Sequence, residues 1–520
     1  MILGYLIIIL LVGGVVSMIA QRWSTTLCRI IALTAVLLDL SILINLFYLK
    51  AIAPERNWIL EYSSGWITHF GISLHLAVDG LSLLLLLLTF FLGFLSILIS
   101  WREINERVGF FHFNVLWTLA GITGVFISLD LFLFYFFWEL MLVPMYLLIA
   151  IWGHENKIYA AYKFFLYTQA SGLIMFIAIL ILYLIHGKNT GYYTFDYNQL
   201  LGTSLPLTTS MLLMLGFLTA FLVKLPVVPL HNWLPDAHSE APTAGSLILA
   251  GLLLKTGAYG VIRFAVPLFP SASAIFATIG MILGVVGILY GAKLAFAQTD
   301  LKRLIAYTSV SHMGFVILGI YAFNEIAYQG VVMQILAHGI STGALFIIAG
   351  QLIERLHHRD IERMGGFWTP MPVMGGFAMV FCMASLGLPG LGNFIAEFLV
   401  LSGTYKANIL MTCLASIGLV FATVYSLRIM QKIYFGRENS QKILPDLGIR
   451  EKFIAVALIV AIFFLGLFPQ PVIETAKPAF NNTLRINTGN AFIPNFKDLN
   501  KYISGINDSN NEFRDRILKK

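Results

Sequence analysis

Four ionisable side chains lie inside stretches of sequence that are otherwise apolar enough to enter a lipid bilayer. They are Glu139, Lys224, Lys255 and Glu397. A charged side chain at membrane depth is costly and therefore rare, and it usually faces a bundle interior or a water-filled cavity on an ion path. These four residues predict that the chain moves protons or cations.

Two histidines, His312 and His338, lie between Lys255 and Glu397 in the sequence. Imidazole titrates near neutral pH, so a histidine can carry a proton between a lysine and a glutamate. A buried histidine is also a common core residue with satisfied hydrogen bonds. Both interpretations stay open for this pair.

The composition is that of a polytopic membrane protein. Hydrophobic residues make up 58% of the chain and charged residues 11%, with a mean hydropathy of +0.84, whereas soluble domains contain roughly 25% charged residues. The three cysteines, Cys28, Cys382 and Cys413, have neither CxxC spacing nor the pattern of a disulfide framework. Metal binding and redox chemistry in this chain are therefore not expected.

The hydropathy pattern predicts an all-α protein with about fourteen membrane spans, because segments of about 20 apolar residues suit helices and not barrel strands. The predicted spans are 2–21, 28–49, 76–100, 112–129, 131–152, 161–186, 209–230, 242–263, 273–296, 303–322, 328–352, 372–402, 408–430 and 453–470. The start of the chain lacks a basic segment, so it is interpreted as the first span and not as a cleavable signal.

Basic residues orient the spans. Loops after odd-numbered spans carry eighteen lysines and arginines, and the opposite face carries five, Lys50, Arg56, Lys188, Arg263 and Lys406. The positive-inside rule then places both termini on the non-cytoplasmic side. The net charge of +7 reflects this topology and gives no reason to expect a nucleic-acid partner.

Two of the predicted spans combine a buried charge with a helix break. Three prolines, Pro226, Pro229 and Pro235, follow Lys224, and the run GLPGLGN precedes Glu397. Proline removes a backbone hydrogen bond and breaks or kinks a helix. The two spans are five apart and therefore run in opposite directions, the pattern of an inverted repeat with discontinuous helices at an ion site. An accidental pairing of common membrane prolines is the alternative.

Glu139 and Lys224 are the expected partners in a switchable proton site, since burial favours the neutral forms and a nearby opposite charge favours the ionised ones. A static salt bridge between helices is the alternative. Lys255 would pass a proton laterally. Asp79, near the start of its span, is interpreted as a residue of the membrane interface.

The loop HNWLPDAHSEAP and the C-terminal tail carry further polar groups. The loop contains His231, Asp236, His238 and Glu240, but its histidines are seven residues apart in a proline-interrupted turn. A polar funnel at a proton entrance is preferred there to zinc ligation. The tail 471–520 is polar without periodicity and is predicted to be a solvated extension, with docking on a neighbouring subunit as the alternative.

Several segments resemble the antiporter-like membrane subunits of respiratory complex I. They are FWELMLVPMYLL, VKLPVVPLHNWLPDAHSEAPTAGSLILAGLLLKTGAYG, QTDLKRLIAYTSVSHMGFV and GLPGLGNFIAEF. A glutamate at the position of Glu397 is similar to the M-type branch of that family. The L-type and N-type branches and the Mrp antiporter subunits usually carry lysine there.

This resemblance implies a role for each candidate residue. Glu139 would modulate the protonation of Lys224 at a first half-channel, and Lys255 would connect it to the centre. The polar axis would continue through His312 and His338 and end at Glu397 in a second half-channel.

The resemblance also implies an Mrp-antiporter-like fold with two inverted five-helix repeats. The expected organisation is three N-terminal helices at 1–111, repeats at 112–263 and 264–430, a cytoplasmic loop and last helix at 431–470, and the tail at 471–520. Flavin (FMN), iron–sulfur clusters and quinone would be held by partner subunits and none of them by this chain. L-type and N-type neighbours, membrane lipids and protons are the expected partners, in a bacterial inner membrane.

Three functions follow as hypotheses. The first is a proton-translocating complex I subunit without a redox centre of its own. The second is an Mrp-type Na⁺/H⁺ antiporter subunit, which a lysine in place of Glu397 would favour. The third is a scaffold whose buried charges are structural ion pairs.

Overall fold

The computed structural model describes residues 2–52, 58–435 and 444–490, with side chains described for all of these except 49–52 and 481–490. Helices form most of this part of the chain. The N-terminal helices are α1 (Ile2–Ala20), α2 (Thr25–Ile52), α3 (Gly80–Glu103), α4 (Val108–Ile127), α5 (Leu131–Leu140), α6 (Leu142–Trp152), α7 (Lys157–Thr190), α8 (Tyr197–Leu200), α9 (Leu207–Lys224) and α10 (Trp233–Glu240). The C-terminal helices are α11 (Thr243–Leu268), α12 (Pro270–Ala297), α13 (Leu301–Ile320), α14 (Glu325–Leu356), α15 (Pro372–Ser385), α16 (Gly392–Ala407), α17 (Ile409–Tyr434), α18 (Ile449–Leu467) and α19 (Gln470–Asn490).

Twelve helical spans of the described residues are long and apolar enough to cross a membrane, and a thirteenth is added if α18 and α19, bent by 70°, count as one span. This confirms a mainly helical polytopic membrane protein. The segment predicted as the single span 372–402 is divided into α15 and α16, each shorter than 18 residues. The count of fourteen and the two inverted repeats stay predictions.

The all-α prediction missed a small β-hairpin between α2 and α3. Strand β1 (Leu60–Ile67) pairs antiparallel with β2 (Ile72–Val78), with Leu60 opposite Val78. A short 3₁₀ turn, Thr68–Phe70, joins the strands, and Gly71 follows it with φ +68°. The prediction treated residues 60–75 as the connection between two spans and placed 76–78 in the next span, whereas the helix begins at Gly80.

Two long helices form the centre of the bundle. The most apolar 18-residue windows of α11 and α14 are entirely buried within the protein. Helices α1, α2, α12 and α17 lie at the periphery, where fewer than half of the corresponding residues are buried. Their exposed leucines, isoleucines and valines suit a surface that faces lipid or a neighbouring subunit.

Both predicted helix breaks are present. Helix α9 ends at Lys224, and the chain then passes through Pro226 and a cis Val228–Pro229 peptide before α10 begins. The second break separates α15 from α16, where Gly387 and Gly390 adopt φ of +79° and +92°. Such left-handed conformations strain residues with a Cβ, which explains glycine at these two positions.

The structure differs from the predicted polar tail at its start. Residues 470–490 form α19, which packs against α14 and α3. Its buried face consists of Val472, Ile473, Ala476, Ala479 and Phe480. The hydrophobic spacing of i, i+1, i+4 and i+7 could have revealed an amphipathic helix. Residues 491–520 of the predicted tail lie outside the described part.

Close backbone contact fixes α12 against α13. A Cβ added at Gly314 would lie 2.6 Å from the Gly284 carbonyl oxygen and 2.7 Å from the Ile288 nitrogen. Membrane helices use small residues in this way, because close approach gains dispersion contacts where no hydrophobic drive exists between helices in lipid.

We expect Gly314→Ala to destabilise the protein by about 1–3 kcal/mol, the usual cost of overpacking. The measurement is the thermal unfolding midpoint of the purified protein in detergent. Gly376→Ala is the matched control, because a Cβ at Gly376 meets no atom within 4 Å. Equal melting of the two variants would contradict the close packing of α12 and α13.

Candidate functional site

The carboxylate of Glu397 meets His312 in the interior of the protein. His312 Nδ1 lies 2.9 Å from Glu397 Oε1, and Gln334 Nε2 donates to the same oxygen over 3.3 Å. On the other side of the ring, the Tyr425 hydroxyl and Ser385 Oγ lie 3.1 and 3.4 Å from His312 Nε2. Five helices, α13 to α17, contribute one group each, so the imidazole is held in place from both nitrogens.

Lys255 and His338 form the centre of the bundle. Lys255 Nζ lies 2.7 Å from His338 Nδ1 and also donates to the Ala250 carbonyl. The His338 and His312 ring centroids are 5.7 Å apart at an interplanar angle of 62°. The structure therefore brings Lys255, His338, His312 and Glu397 into one row, with a hydrogen bond at each end and a ring–ring contact in the middle. Each of the four residues is at most 2% exposed.

A local widening of α11 supplies the carbonyl that accepts from Lys255. Residues Leu249–Leu253 form a π-helical turn, in which the Leu254 N–H donates to the Leu249 carbonyl, five residues back. The usual α-helical donor is thereby displaced from the Ala250 carbonyl, which accepts from the lysine. Single π turns occur often at functional sites. A second one, Val261–Ala265, follows in the same helix.

Lys224 is buried without a hydrogen-bond partner among the described residues. It is 1% exposed and is the last residue of α9. Its Nζ lies 5.3 Å from the Trp138 ring centroid and 5.7 Å from that of Phe164. The faces of these rings and the negative end of the helix dipole both favour a positive charge on Lys224. Neither of them accepts a hydrogen bond that would hold the proton on the Lys224 amine.

Glu139 does not form a direct ion pair with Lys224. Its Oε1 has no partner within the described part of the chain, and Tyr135 and Gln169 lie beside the carboxylate. The residue is only half-buried, on α5, with Gly172 of α7 opposite Oε1. The static salt bridge considered from the sequence is thus absent from this arrangement.

A helix interruption follows Glu139 directly. Helix α5 ends at Leu140, and α6 begins at Leu142. Pro144 has no N–H to donate to the Leu140 carbonyl four residues earlier, which accounts for the interruption. The sequence analysis did not single out this proline.

The acidic groups of the HNWLPDAHSEAP segment are occupied by cations. Asp236 binds Lys163 and Arg303, each over 2.6 Å, and Glu240 binds Arg359 over 2.7 Å. No group of three or more His, Cys, Asp or Glu among the described residues is arranged to hold a metal ion. The interpretation of this segment as a polar funnel stays a prediction.

A buried lysine that the sequence analysis did not identify is hydrogen-bonded to the HNWLPDAHSEAP segment. Lys302, 1% exposed, donates to the Ala241 carbonyl over 2.8 Å and lies 3.5 Å from His154 Nε2. Burial, with Lys302 and Arg359 beside it, lowers the pKa of His154 to about 4. His154 is therefore neutral at physiological pH.

Asp79 has a different place from the one expected. It is 2% exposed, accepts from the Ser82 N–H over 2.9 Å at the start of α3, and forms an ion pair with Arg263. Arg263, counted above with the loops, lies inside α11 over the rings of Trp58 and Tyr259. Asp79 thus belongs to a buried ion pair and does not merely mark the interface.

Asp39 is a buried acid that the sequence analysis overlooked. It lies in α2 at 0% exposure, and neither carboxylate oxygen has a described hydrogen-bond partner. The signal was present in the sequence, because the segment LTAVLLDLSILINLF places one acid in an apolar span. The rule that selected Glu139 and Glu397 would also have selected this residue.

Comparison with known proteins places this bundle in a family. Residues 128–424 match the model of the NADH:quinone oxidoreductase/Mrp antiporter membrane family. The chain belongs to this family. It is 52% identical over 495 residues to NADH-quinone oxidoreductase subunit M of Escherichia coli (strain K12), covering 93% of this chain and 97% of the relative.

Solved structures agree with this assignment. A chain of respiratory complex I from Thermus thermophilus superposes with a TM-score of 0.84 at 29% identity, covering 94% of this chain and all of that one. A chain of the Mrp complex from Dietzia superposes with a TM-score of 0.81 at 20% identity, covering 95% of this chain and 98% of that one. The second likeness concerns the fold alone. The resemblance inferred from the sequence, including the M-type branch, is confirmed.

The environment of Lys224 predicts that its charge adds no stability. We expect Lys224→Met to melt at or above the wild-type temperature, because methionine fills the space and removes a buried ammonium without a hydrogen bond. Lys302→Met is the control, and we expect it to lose about 1–3 kcal/mol, since the Ala241 carbonyl loses its donor. A Lys224→Met variant as unstable as Lys302→Met would contradict this account of the site.

Proposed function

We propose that this chain is the M-type membrane subunit of a complex I and moves protons along its row of buried residues, driven by quinone reduction in other subunits. The observation that carries the proposal is the row of Lys255, His338, His312 and Glu397 in the membrane interior. Hydrogen bonds join Lys255 to His338 and His312 to Glu397, and the two imidazole rings lie edge to face between them. The 52% identity over 495 residues with subunit M of Escherichia coli supports the assignment.

The row supplies donors and acceptors in the order that a relay needs. Lys255 Nζ gives a proton to His338 Nδ1, which is 2.7 Å away. The opposite nitrogen, His338 Nε2, has no described partner and can release a proton. No hydrogen bond among the described residues joins the two rings, so this proton reaches His312 through water or after a movement of a ring. Glu397, 2.9 Å from His312 Nδ1, is the last acceptor of the row. Each step exchanges a proton between groups whose neutral forms burial makes accessible.

Lys224 and Glu139 provide the input to this row. No hydrogen-bonded chain of described residues joins Lys224 to Lys255, so a proton that passes between them needs water or a movement of side chains. The absence of a fixed ion pair leaves Lys224 free to gain and lose its proton. Glu139, half-exposed at the protein surface, is the residue through which a neighbour's charge would bias that exchange.

The remaining parts of the proposal concern the assembly. L-type and N-type subunits are the proposed neighbours, and flavin, iron–sulfur clusters and quinone belong to other subunits. The bacterial inner membrane is the proposed location, with both termini on the non-cytoplasmic side, because basic residues are concentrated in loops of the other face. Membrane lipids cover the peripheral apolar helices.

Sodium–proton antiport is the competing function. The structural likeness to the Mrp complex supports a common fold and says nothing about which ion is transported. The proposal of redox-driven proton transport is favoured by the glutamate at position 397 and by the long, highly identical match to subunit M. Sodium-dependent transport without quinone reduction would favour the antiporter.

We expect Lys255→Met to abolish most NADH-driven proton transport, by about tenfold or more, because loss of a positioned acid–base group has effects of this size or larger. The measurement is proton uptake by vesicles that contain the assembled complex, with subunit content checked in the same preparation. Lys188→Met, at an exposed position of α7, is the control. Normal proton transport by an assembled Lys255→Met complex would contradict the proposed relay and would support a purely structural role for the buried charges.

Tyr425→Phe tests the support of His312 more gently. Removing the hydroxyl deletes one neutral hydrogen bond, worth about 0.5–1.5 kcal/mol, so we expect proton transport to fall about two- to tenfold with assembly unchanged. Tyr405→Phe is the control, because Tyr405 is exposed on α16. Equal transport rates in the two variants would show that the hydroxyl does not support the relay.

A further inference from the structure

The β-hairpin is bound to the start of α5 through a layer of backbone hydrogen bonds. The Leu129 N–H donates to the His75 carbonyl over 2.9 Å, and the Tyr197 N–H donates to the Leu129 carbonyl over 2.8 Å. On the next residue pair, the Leu131 N–H donates to the Phe195 carbonyl over 2.9 Å. Three chain segments therefore lie side by side where α5 begins.

One imidazole joins this layer through two carboxylates. His75 Nε2 lies 2.8 Å from Glu61 Oε1 of β1, and His75 Nδ1 forms a short contact with Asp196, the N-cap residue of α8. The His75 side chain is 5% exposed, whereas that of Glu61 is 43% exposed. The contact thus spans from the protein interior to its surface.

The geometry specifies the protonation state of this imidazole. A neutral histidine carries one N–H and one lone pair, so it can donate to only one of two carboxylates. Both ring nitrogens of His75 lie against carboxylate oxygens. While both carboxylates are ionised, only the doubly protonated ring satisfies both contacts, and it also offsets the repulsion between Glu61 and Asp196.

The same strand holds the helix that carries Glu139. Ser73, two residues before His75 and therefore on the same face of β2, donates from its N–H and its hydroxyl to Asp130 Oδ2 over 2.8 and 3.0 Å. The other oxygen of Asp130 accepts from the Phe132 and Leu133 N–H groups and caps α5. A shift of the hairpin would move the first turn of α5, and Glu139 lies nine residues after Asp130 on that helix.

We propose that His75 is a proton-dependent positioning residue, which in its charged form clamps the hairpin between Glu61 and Asp196 and so fixes the first turn of α5. Its effect on transport rests on the proposed function, whereas the clamp itself does not. The distribution of basic residues assigns this hairpin to the non-cytoplasmic side, which would receive the transported protons. The clamp would then respond to the pH of that compartment.

The direction of the response follows from the contacts. Burial lowers the pKa of His75, but the hydrogen bonds and charges of Asp196 and Glu61 outweigh it and raise the pKa above the ordinary value of 6.5. The clamp is fully present below that ordinary value and is lost as the pH rises through the raised pKa. Two other acids close to the hairpin have partners of their own, Asp130 with Ser73 and Asp79 with Arg263.

Hydrogen exchange of the backbone amides in the assembled complex tests the clamp. After correction for intrinsic exchange, we expect residues 60–78 and 131–133 to lose protection in one step as the pH rises. His75→Gln should remove this step, because glutamine does not titrate. His69→Gln, at an exposed position within the hairpin turn, should retain it. A step of the same size and midpoint in His75→Gln would overturn the proposal.

Glu61→Gln is a second variant that we expect to fold normally, because the Glu61 side chain is partly exposed and glutamine has the same shape as glutamate. Loss of one carboxylate should shift the midpoint of the exchange step downward by roughly one pH unit. An unmoved midpoint would overturn the assignment of the step to His75.

The pH profile of proton transport then tests the positioning role. We expect the transport rate of the wild-type complex to change over the pH range of the exchange step, and this change to be absent in His75→Gln and shifted in Glu61→Gln. Profiles that do not follow the exchange midpoints would overturn the positioning role. Failure of the proposed function is distinguishable, because the exchange step would persist in a complex that transports no protons.

Discussion

The cost of holding a charge inside a low-dielectric bundle shapes this protein more than any other constraint. The chain meets that cost in two ways. Arg263 and Asp79 pair with each other and stay paired. Lys255 instead contacts a carbonyl and an imidazole, both of which are neutral acceptors. A fixed counter-charge would hold the proton on the lysine, whereas a neutral acceptor allows it to leave. The residues of the row therefore combine burial with partners that exchange protons.

Interruptions of the helices shape the surroundings of these charged residues. A regular helix satisfies its own backbone groups and leaves little for a side chain to bind. The π-helical turn in α11 provides a carbonyl for Lys255, and the break before α16 turns the chain so that Gly387 faces Glu397 Oε2. The break after α9 puts Lys224 at a helix end instead of in a continuous helix. Lys224, Lys255 and Glu397 thus each lie beside irregular backbone, and that backbone is buried within the bundle.

The sequence was sufficient to find the principal members of the site, because a lone lysine or glutamate stands out against an apolar background. It also located both helix breaks, since proline and glycine act on the backbone locally. It could not give the distance between Glu139 and Lys224, which depends on how α5, α7 and α9 pack. The partners of Asp79 and His75 were hidden for the same reason, because Arg263 and Asp196 are 184 and 121 residues away. The hairpin and α19 were missed for another reason. A search for runs of about 20 apolar residues does not detect short strands or an amphipathic helix.

Two acids of the site, Glu397 at the end of the row and Glu139 at its input, differ in exposure, and this difference has a physical meaning. Glu397 is 2% exposed and contacts His312 and Gln334. Glu139 is half-buried on a membrane helix with one oxygen unpartnered among the described residues. An exposed carboxylate at that depth is unfavourable against lipid, so a polar or protein surface must cover it in the assembly. The side of the bundle that carries Glu139 is therefore the one whose electrostatics a neighbour can change, while Glu397 responds to the groups of this chain.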